Sequence, residues 1–251
     1  MQRHEAAGKG ADIDPGVFRV PFKRGEKMNQ TDRWMTSDPA VGTTVSTGNR
    51  VLRNTYWLLG LTLMFSALIA GVAAQMNLPA LPWYLTLGGY FGLLFLTSKF
   101  ENSGAGILCV FGLTGFMGYT IGPLLNHYLA MAQGEQIVMT AFGGTAISFL
   151  AMSGLALFSK RDFSFLGKFL FVGLIVAFVA SLAAFFFEMT ALSLAVSAMF
   201  VLLSSGVILW QTSQIVNGGE TNYIRATVTL FVSIYNIFIS LLQLAGFASD
   251  D

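Results

Sequence analysis

Residues 163–210, FSFLGKFLFVGLIVAFVASLAAFFFEMTALSLAVSAMFVLLSSGVILW, decide the fold of this chain. Glu188 is the only charge in the middle of this apolar stretch. A helix that crosses about 30 Å of hydrocarbon needs roughly 20 apolar residues, and the stretch is about twice that length. We therefore expect two spans joined by a tight turn near Glu188, with the carboxylate at the membrane interface.

The same length criterion applies along the rest of the chain. Hydrophobic residues are 54% of the 251 residues, charged residues are 11%, and the mean hydropathy is +0.65, which is too apolar for a soluble domain. Seven spans are predicted: Tyr56–Gln75, Leu81–Leu96, Gly104–Leu125, Ile137–Phe158, Phe163–Phe187, Met189–Trp210 and Tyr223–Ala248. The sequence thus predicts an all-α polytopic membrane protein with seven transmembrane helices.

The 14 Lys and Arg residues predict the orientation, because short cytoplasmic segments accumulate positive charge. Most of them precede the first span, and the others lie at the second, fourth and sixth connections or beside them. The connections at Asn77, Glu135 and Glu188 contain none. We expect a cytoplasmic N-terminus and a periplasmic C-terminus; six spans would instead return both ends to the cytoplasm.

Residues 1–50 differ in composition from the rest of the chain, being polar and without helical or alternating periodicity. They are predicted to be a disordered cytoplasmic tail, followed by a membrane domain over residues 51–251. Met28 is an alternative start, and no cleaved signal peptide is evident. The tail is either an inert leader or a handle that a cytoplasmic machine can grip.

Residue types that carry catalysis or bind metals are scarce. Cys109 is the only cysteine, and His4 and His127 lack partners at metal-ligand or triad spacing. No phosphate-binding glycine loop or hydrolase motif occurs. The sequence therefore predicts no enzyme, no metal, no cofactor and no nucleic-acid partner.

The last two spans carry polar side chains at helical spacing, which places them on one stripe of each helix. The stripe of the seventh span is Thr229, Ser233, Asn236, Ser240 and Gln243, and that of the sixth is Ser193, Ser197, Ser204 and Gln211. Because lipid exposure of an amide is costly, the two stripes are expected to face each other. They form either interhelical packing contacts or the lining of a narrow polar path, although no carboxylate lies midway along these spans.

Charged residues at the connections are interpreted as anchors at the membrane interface: Lys160, Arg161, Glu220 and Arg225. Whether Glu220 pairs with Arg225 stays open. Small residues four apart predict close helix packing within one bundle. These pairs are Gly118 with Gly122, Gly144 with Ser148, and Ala191 with Ala195.

Several ordered motifs together resemble the Bax inhibitor-1 (TMBIM) family, in particular its bacterial YccA-like branch. They are Gly122-Pro123, Gly-Thr-Ala at 144–146, Lys160-Arg161 followed by Ser-Phe-Leu-Gly at 164–167, Leu-Trp-Gln-Thr at 209–212, and Gly-Gly-Glu-Thr-Asn-Tyr-Ile-Arg-Ala-Thr at 218–227. The resemblance runs from about Gly48 to the C-terminus. It implies a seven-helix bundle in which the last helix is surrounded by the other six.

The resemblance also implies a function. Relatives in the calcium-leak branch carry a proton-sharing carboxylate pair at the positions that Gln211 and Ser233 occupy here, while Asn236 and Phe238 match that pattern. Since Gln211 and Ser233 cannot titrate near neutral pH, the resemblance favours the YccA-like role. A protein with that role is a non-enzymatic protein of the bacterial inner membrane that binds and restrains the membrane AAA protease FtsH. The alternative is a cation (calcium) leak channel or transporter along the polar stripes.

Overall fold

The chain forms a bundle of α-helices in the computed structural model, which describes residues 39–159 and 161–250. Within these residues there are seven helices and no strand. They are α1 (Pro39–Gln75), α2 (Trp83–Phe100), α3 (Ala105–Leu129), α4 (Gly134–Ser159), α5 (Leu166–Phe186), α6 (Thr190–Val216) and α7 (Tyr223–Asp250). Each predicted span corresponds to one helix.

Six helices are long and apolar enough to cross a membrane; of the seven described, only α2 falls short of that criterion. Its 18 residues include Trp83, Tyr84 and Tyr90, which are less apolar than aliphatic residues, and Lys99 in the last turn. Lys99 was predicted to lie in the connection after this helix. The described part of the chain is thus an all-helical membrane domain in which six helices meet the criterion for a span.

The first helix begins earlier than the sequence predicts. The expected boundary between tail and membrane domain lies near residue 50, whereas α1 begins at Pro39. Residues 1–38 of the predicted tail, including His4 and Met28, lie outside the described residues.

The predicted tight turn at Glu188 is confirmed. Helix α5 ends at Phe186 and α6 begins at Thr190. Glu188 has a φ of 52°, the left-handed conformation that reverses a chain within few residues. The amide of Met189 donates to the carbonyl of Ala184 over 3.1 Å and closes the end of α5.

Helix α7 lies at the core of the bundle. No residue from Ala226 to Gly246 is exposed, whereas α5 exposes large side chains such as Phe169 and Phe171. Apolar side chains of α7 pack in clusters with buried and partly buried side chains of five other helices: α1, α2, α3, α4 and α6. Helix α5 packs on α6. A helix that is enclosed along its length can carry polar groups that lipid would not tolerate.

Glycines allow α1 and α3 to approach closely. A Cβ on Gly118 would overlap the backbone carbonyl oxygen of Ser66, and one on Gly122 would lie 2.5 Å from the Cβ of Ala73. This packing agrees with the small-residue interpretation for these two glycines. Ala191 and Ala195, by contrast, are exposed, so the prediction that they form a packing contact inside the bundle is wrong.

Candidate functional site

The polar stripes of α6 and α7 meet at Gln243, near the turn between α5 and α6. The Nε2 of Gln243 donates to Ser193 Oγ over 2.5 Å, and Ser197 Oγ donates to Gln243 Oε1 over 2.6 Å. Both groups of the amide are therefore satisfied by α6. We call Gln243, Ser193 and Ser197 the glutamine latch.

A cavity of about 180 Å³ lies beside the latch, between α5, α6 and α7. Its polar lining residues are Ser181, Ser193, Ser197, Tyr235, Asn236, Ser240 and Gln243, and its apolar ones are Val196, Phe200 and Ile239. Two predicted site residues, Asn236 and Ser240, are thus brought together here. No carboxylate or basic group lines the cavity.

A wider pocket of about 610 Å³ lies at the turn between α5 and α6. Ser193 and Gln243 line both this pocket and the cavity, so the two spaces adjoin at the glutamine latch. Glu188 supplies the pocket with a carboxylate, and Phe185, Phe186 and Met189 supply apolar surface. We call this wider pocket the vestibule.

The other half of the α6–α7 interface contains the main apolar core cluster. Ile208 of α6 is fully buried with Leu230 and Phe231 of α7 in the main core cluster. Gln211 is only 2% exposed, and its Nε2 has no hydrogen-bond partner among the described residues. Ser204 is also buried, and its hydroxyl likewise lacks a described partner.

The remaining stripe residues of this half bond within their own helix. Ser233 Oγ donates to the carbonyl of Thr229 over 2.8 Å, and Thr229 Oγ1 donates to the carbonyl of Arg225 over 3.1 Å. No hydrogen bond joins Gln211 to Ser233 among the contacts described. These two positions therefore do not form the polar bridge between α6 and α7 that their residue types allow.

A charged cluster lies at the opposite end of the bundle from Glu188, at the turn between α6 and α7. Arg225 pairs with Glu101 through two hydrogen bonds, of which the one from Nε to Oε2 is 3.0 Å long. A weaker approach of 3.9 Å joins Arg225 Nη1 to Glu220 Oε2. The hydrogen bond and the positive charge of Arg225 hold the pKa of Glu101 below its ordinary value.

Asn222 caps α7 and joins two connections. Its Oδ1 accepts from the amides of Ile224 and Arg225, as an N-cap side chain does. Its Nδ2 donates to the carbonyl of Glu101 over 3.1 Å and to Asn102 Oδ1 over 3.0 Å. The turn before α7 is thus tied to the connection between α2 and α3.

The predicted anchors Lys160 and Arg161 differ in what the structure describes. Lys160 lies outside the described residues. The carbonyl of Arg161 accepts a 3.4 Å hydrogen bond from Ser213 Oγ, and the amide of Phe163 donates to the same Oγ over 3.1 Å. Backbone groups of Arg161 and Phe163 therefore tie the connection between α4 and α5 to α6, and Gln214 of α6 adds a hydrogen bond to Ser164 Oγ.

Glu101 and Asn222 are two site residues that the sequence interpretation missed. A signal for Asn222 was present, because an Asn directly before an apolar periodic run predicts an N-cap. Glu101 had no local signal, since its partner lies more than a hundred residues along the chain. No group of three metal-ligating His, Cys, Asp or Glu side chains occurs in the described part.

Comparison with known proteins places this geometry in a family. Residues 48–250 match the family model described as "Inhibitor of apoptosis-promoting Bax1". Two relatives from Escherichia coli strains, "Modulator of FtsH protease YccA" and "Inner membrane protein YccA", are each 51% identical over 209 residues, covering 83% of this chain and 95% of theirs. An uncharacterized protein of Pseudomonas aeruginosa is 52% identical over 201 residues, covering 80% and 90%. The chain therefore belongs to the Bax inhibitor-1 family.

Proposed function

We propose that this protein resides in the bacterial inner membrane, where it binds and restrains a membrane-anchored AAA protease of the FtsH type. One observation carries the proposal: the 51% identity to a relative named as a modulator of FtsH, of whose length 95% is covered. Identity at that level extends over 83% of this chain. The relative's name and the shared bundle together favour this role over catalysis.

The packing of α7 supports a restraining role. A protease that degrades membrane proteins has to pull helices out of their bundle, and each helix removed exposes buried contacts. Leu230, Phe231 and Ile237 on α7 are no more than 2% exposed and pack against several neighbouring helices. Burying one such side chain contributes about 1.5–3 kcal/mol, so an enclosed helix resists extraction.

Reconstitution tests the proposal directly. The full chain is placed in proteoliposomes with an FtsH-type protease and a tagged membrane substrate, and the substrate's degradation rate is measured. We expect degradation to slow several-fold as the protein is raised to molar excess. An unrelated polytopic protein at the same density is the control, and a degradation rate equal to that control would contradict the proposal.

The N-terminal segment is proposed as the handle that the protease grips. Deleting residues 2–38 removes that segment while leaving α1 whole, since the helix begins at Pro39. We expect the deleted protein to insert and melt like the full chain but to lose inhibition. Inhibition that survives the deletion would assign the restraining contact to the bundle, which is the part that the relatives share.

The same proposal includes seven spans, with the N-terminus in the cytoplasm and the C-terminus in the periplasm. The distribution of Lys and Arg supports this orientation, and α2, at 18 residues, has nearly the length a span needs. A reporter fused after Asp251 should be accessible from the periplasm. Cytoplasmic access would instead mean that one helix, most simply α2, does not cross.

A cation leak is the second candidate function, and the polar cavity between α5, α6 and α7 is the observation that favours it. No carboxylate lines that cavity, whereas cation paths generally contain one. Calcium flux into proteoliposomes measures the activity. The variant Asn236→Asp, which places a carboxylate at the cavity, should conduct in a pH-dependent way if a path exists, and silence of both the natural chain and this variant would eliminate the candidate.

A further inference from the structure

We propose that the cavity between α5, α6 and α7 is a hydrated binding site for small neutral molecules that form hydrogen bonds, water included. The glutamine latch separates this site from the vestibule. The proposal concerns the cavity alone and does not depend on the protease.

Unpartnered polar groups facing the cavity are the first argument. Ser240 is 5% exposed and lines the cavity, and no hydrogen bond of its hydroxyl is among the contacts described. The amide of Asn236 lines the same cavity and also has no described partner. A polar occupant of the cavity would supply both groups with hydrogen bonds that an empty cavity would not.

The size and polarity of the cavity are the second argument. One water needs on the order of 10–15 Å³ of such space, so about 180 Å³ holds several. Dry cavities are lined by apolar side chains, whereas this one presents serine hydroxyls and two amides. Several waters, or one small solute in their place, therefore fit.

The absence of charge in the lining determines the class of ligand. Every polar lining group is neutral, and the nearest carboxylate described at this end, Glu188, lines the vestibule rather than the cavity. An ion that leaves water for a space without counter-charge loses more solvation than a neutral molecule does. The lining thus favours neutral donors and acceptors over ions.

The position of Gln243 assigns it the role of a latch. It lines both spaces, and its two hydrogen bonds hold α7 against Ser193 and Ser197 of α6. Ser193 and Gln243 border both spaces, so a solute that moves directly from the vestibule into the cavity contacts them. Removing the amide should therefore increase access without changing the cavity's far wall.

Thiol labelling measures access to the cavity. In a Cys109→Ser background, Ser240→Cys introduces a thiol at the cavity, and Ser204→Cys introduces one at a buried site that lines none of the described pockets. The probe is hydroxyethyl methanethiosulfonate, which is neutral, and intact mass gives the labelling rate. A thiol reacts through its thiolate, which forms where water is present.

We expect the neutral probe to label Ser240→Cys at least tenfold faster than Ser204→Cys, and Gln243→Met to raise the Ser240→Cys rate about tenfold. Charged sulfonatoethyl and trimethylammonium-ethyl analogues should react at least tenfold more slowly than the neutral probe. Ile239→Cys, which removes no polar group from the same cavity, provides the same readout should Ser240→Cys fail to insert.

Three results would overturn the inference. Labelling of Ser240→Cys and Ile239→Cys no faster than Ser204→Cys would mean that the cavity is dry. Charged probes that react as fast as the neutral one would mean that ions enter, which would favour a leak instead. An unchanged rate in Gln243→Met would remove the latch from the proposal.

Discussion

The two halves of the α6–α7 interface carry the same types of polar residue in different surroundings. Near the α5–α6 turn, Gln243 bonds to two serines beside a polar cavity. In the other half, Gln211 and Ser204 are buried, and Gln211 Nε2 and Ser204 Oγ have no described hydrogen-bond partner. A helical stripe of polar residues therefore does not by itself define a path, since the cavity adjoins only the half near the turn.

Introducing a buried charge is expected to give the largest difference in stability between variants of the two halves. Gln211→Asp places an unpaired carboxylate among apolar side chains, which should lower the free energy of unfolding by about 3–5 kcal/mol at pH 7. Asn236→Asp places it beside the cavity, where water reduces the loss to about 1–2 kcal/mol. Denaturant titration in mixed micelles measures both, and equal losses would refute the contrast.

The apolar half also depends on close helix approach. Met117 of its core cluster lies next to Gly118, where a Cβ would overlap the carbonyl oxygen of Ser66. Gly118→Ala should therefore destabilise the protein by about 1–3 kcal/mol, because backbone has to move. Gly112→Ala is the matched control on α3, since its Cβ would meet Leu93 at an ordinary 3.8 Å. Similar melting temperatures for both variants would contradict this account.

Replacing either glutamine by methionine should have opposite effects in the two halves. Gln243→Met removes two hydrogen bonds and should cost about 1–2 kcal/mol. Gln211→Met removes a buried amide without a described partner, so the variant should be as stable as the natural chain or more stable by about 1 kcal/mol. Melting temperatures of the two variants give the sign, and a loss in Gln211→Met would show that its amide is satisfied.

The sequence was sufficient to locate the helices, because uncharged length alone defines a span. The turn at Glu188 followed from the same argument and is confirmed. The start of α1 was missed because residues 39–50 lack apolar periodicity. Helix α2 is the one predicted span that falls short of the criterion of length and hydropathy, since its 18 residues include Lys99 and several aromatic side chains with polar groups.

The site was less predictable than the helices. Periodicity grouped Asn236, Ser240 and Gln243 on one stripe, and the structure places all three at one cavity. Periodicity could not distinguish these three residues from Ser233, whose hydroxyl bonds to the backbone of its own helix. Serines of this kind have the same helical spacing as those that line a cavity. The ion pair between Glu101 and Arg225 forms because the α2–α3 connection lies beside the α6–α7 connection. Spacing along the chain does not reveal that these two connections meet.

The charged cluster at the α6–α7 turn is a third group of polar residues, and it is accessible to water. A polar contact there should contribute little to the free energy of unfolding. Glu101→Gln removes the pair with Arg225, whose side chain is 57% exposed, and should cost less than about 1 kcal/mol at pH 7. Melting temperatures of both proteins from pH 3 to pH 8 measure the cost. Glu135→Gln, at an exposed position without a described ion pair, is the matched control.

The sign of the pH dependence follows from the direction of the pKa shift. Because Arg225 lowers the pKa of Glu101 in the folded protein, the pair stabilises the fold above pH 4.5, the ordinary value for Glu. Its contribution disappears as pH falls through the lowered pKa, so Glu101→Gln and the natural chain should then melt together. A difference that persisted below the lowered pKa of Glu101 would show that this residue acts through packing and hydrogen bonds rather than through its charge.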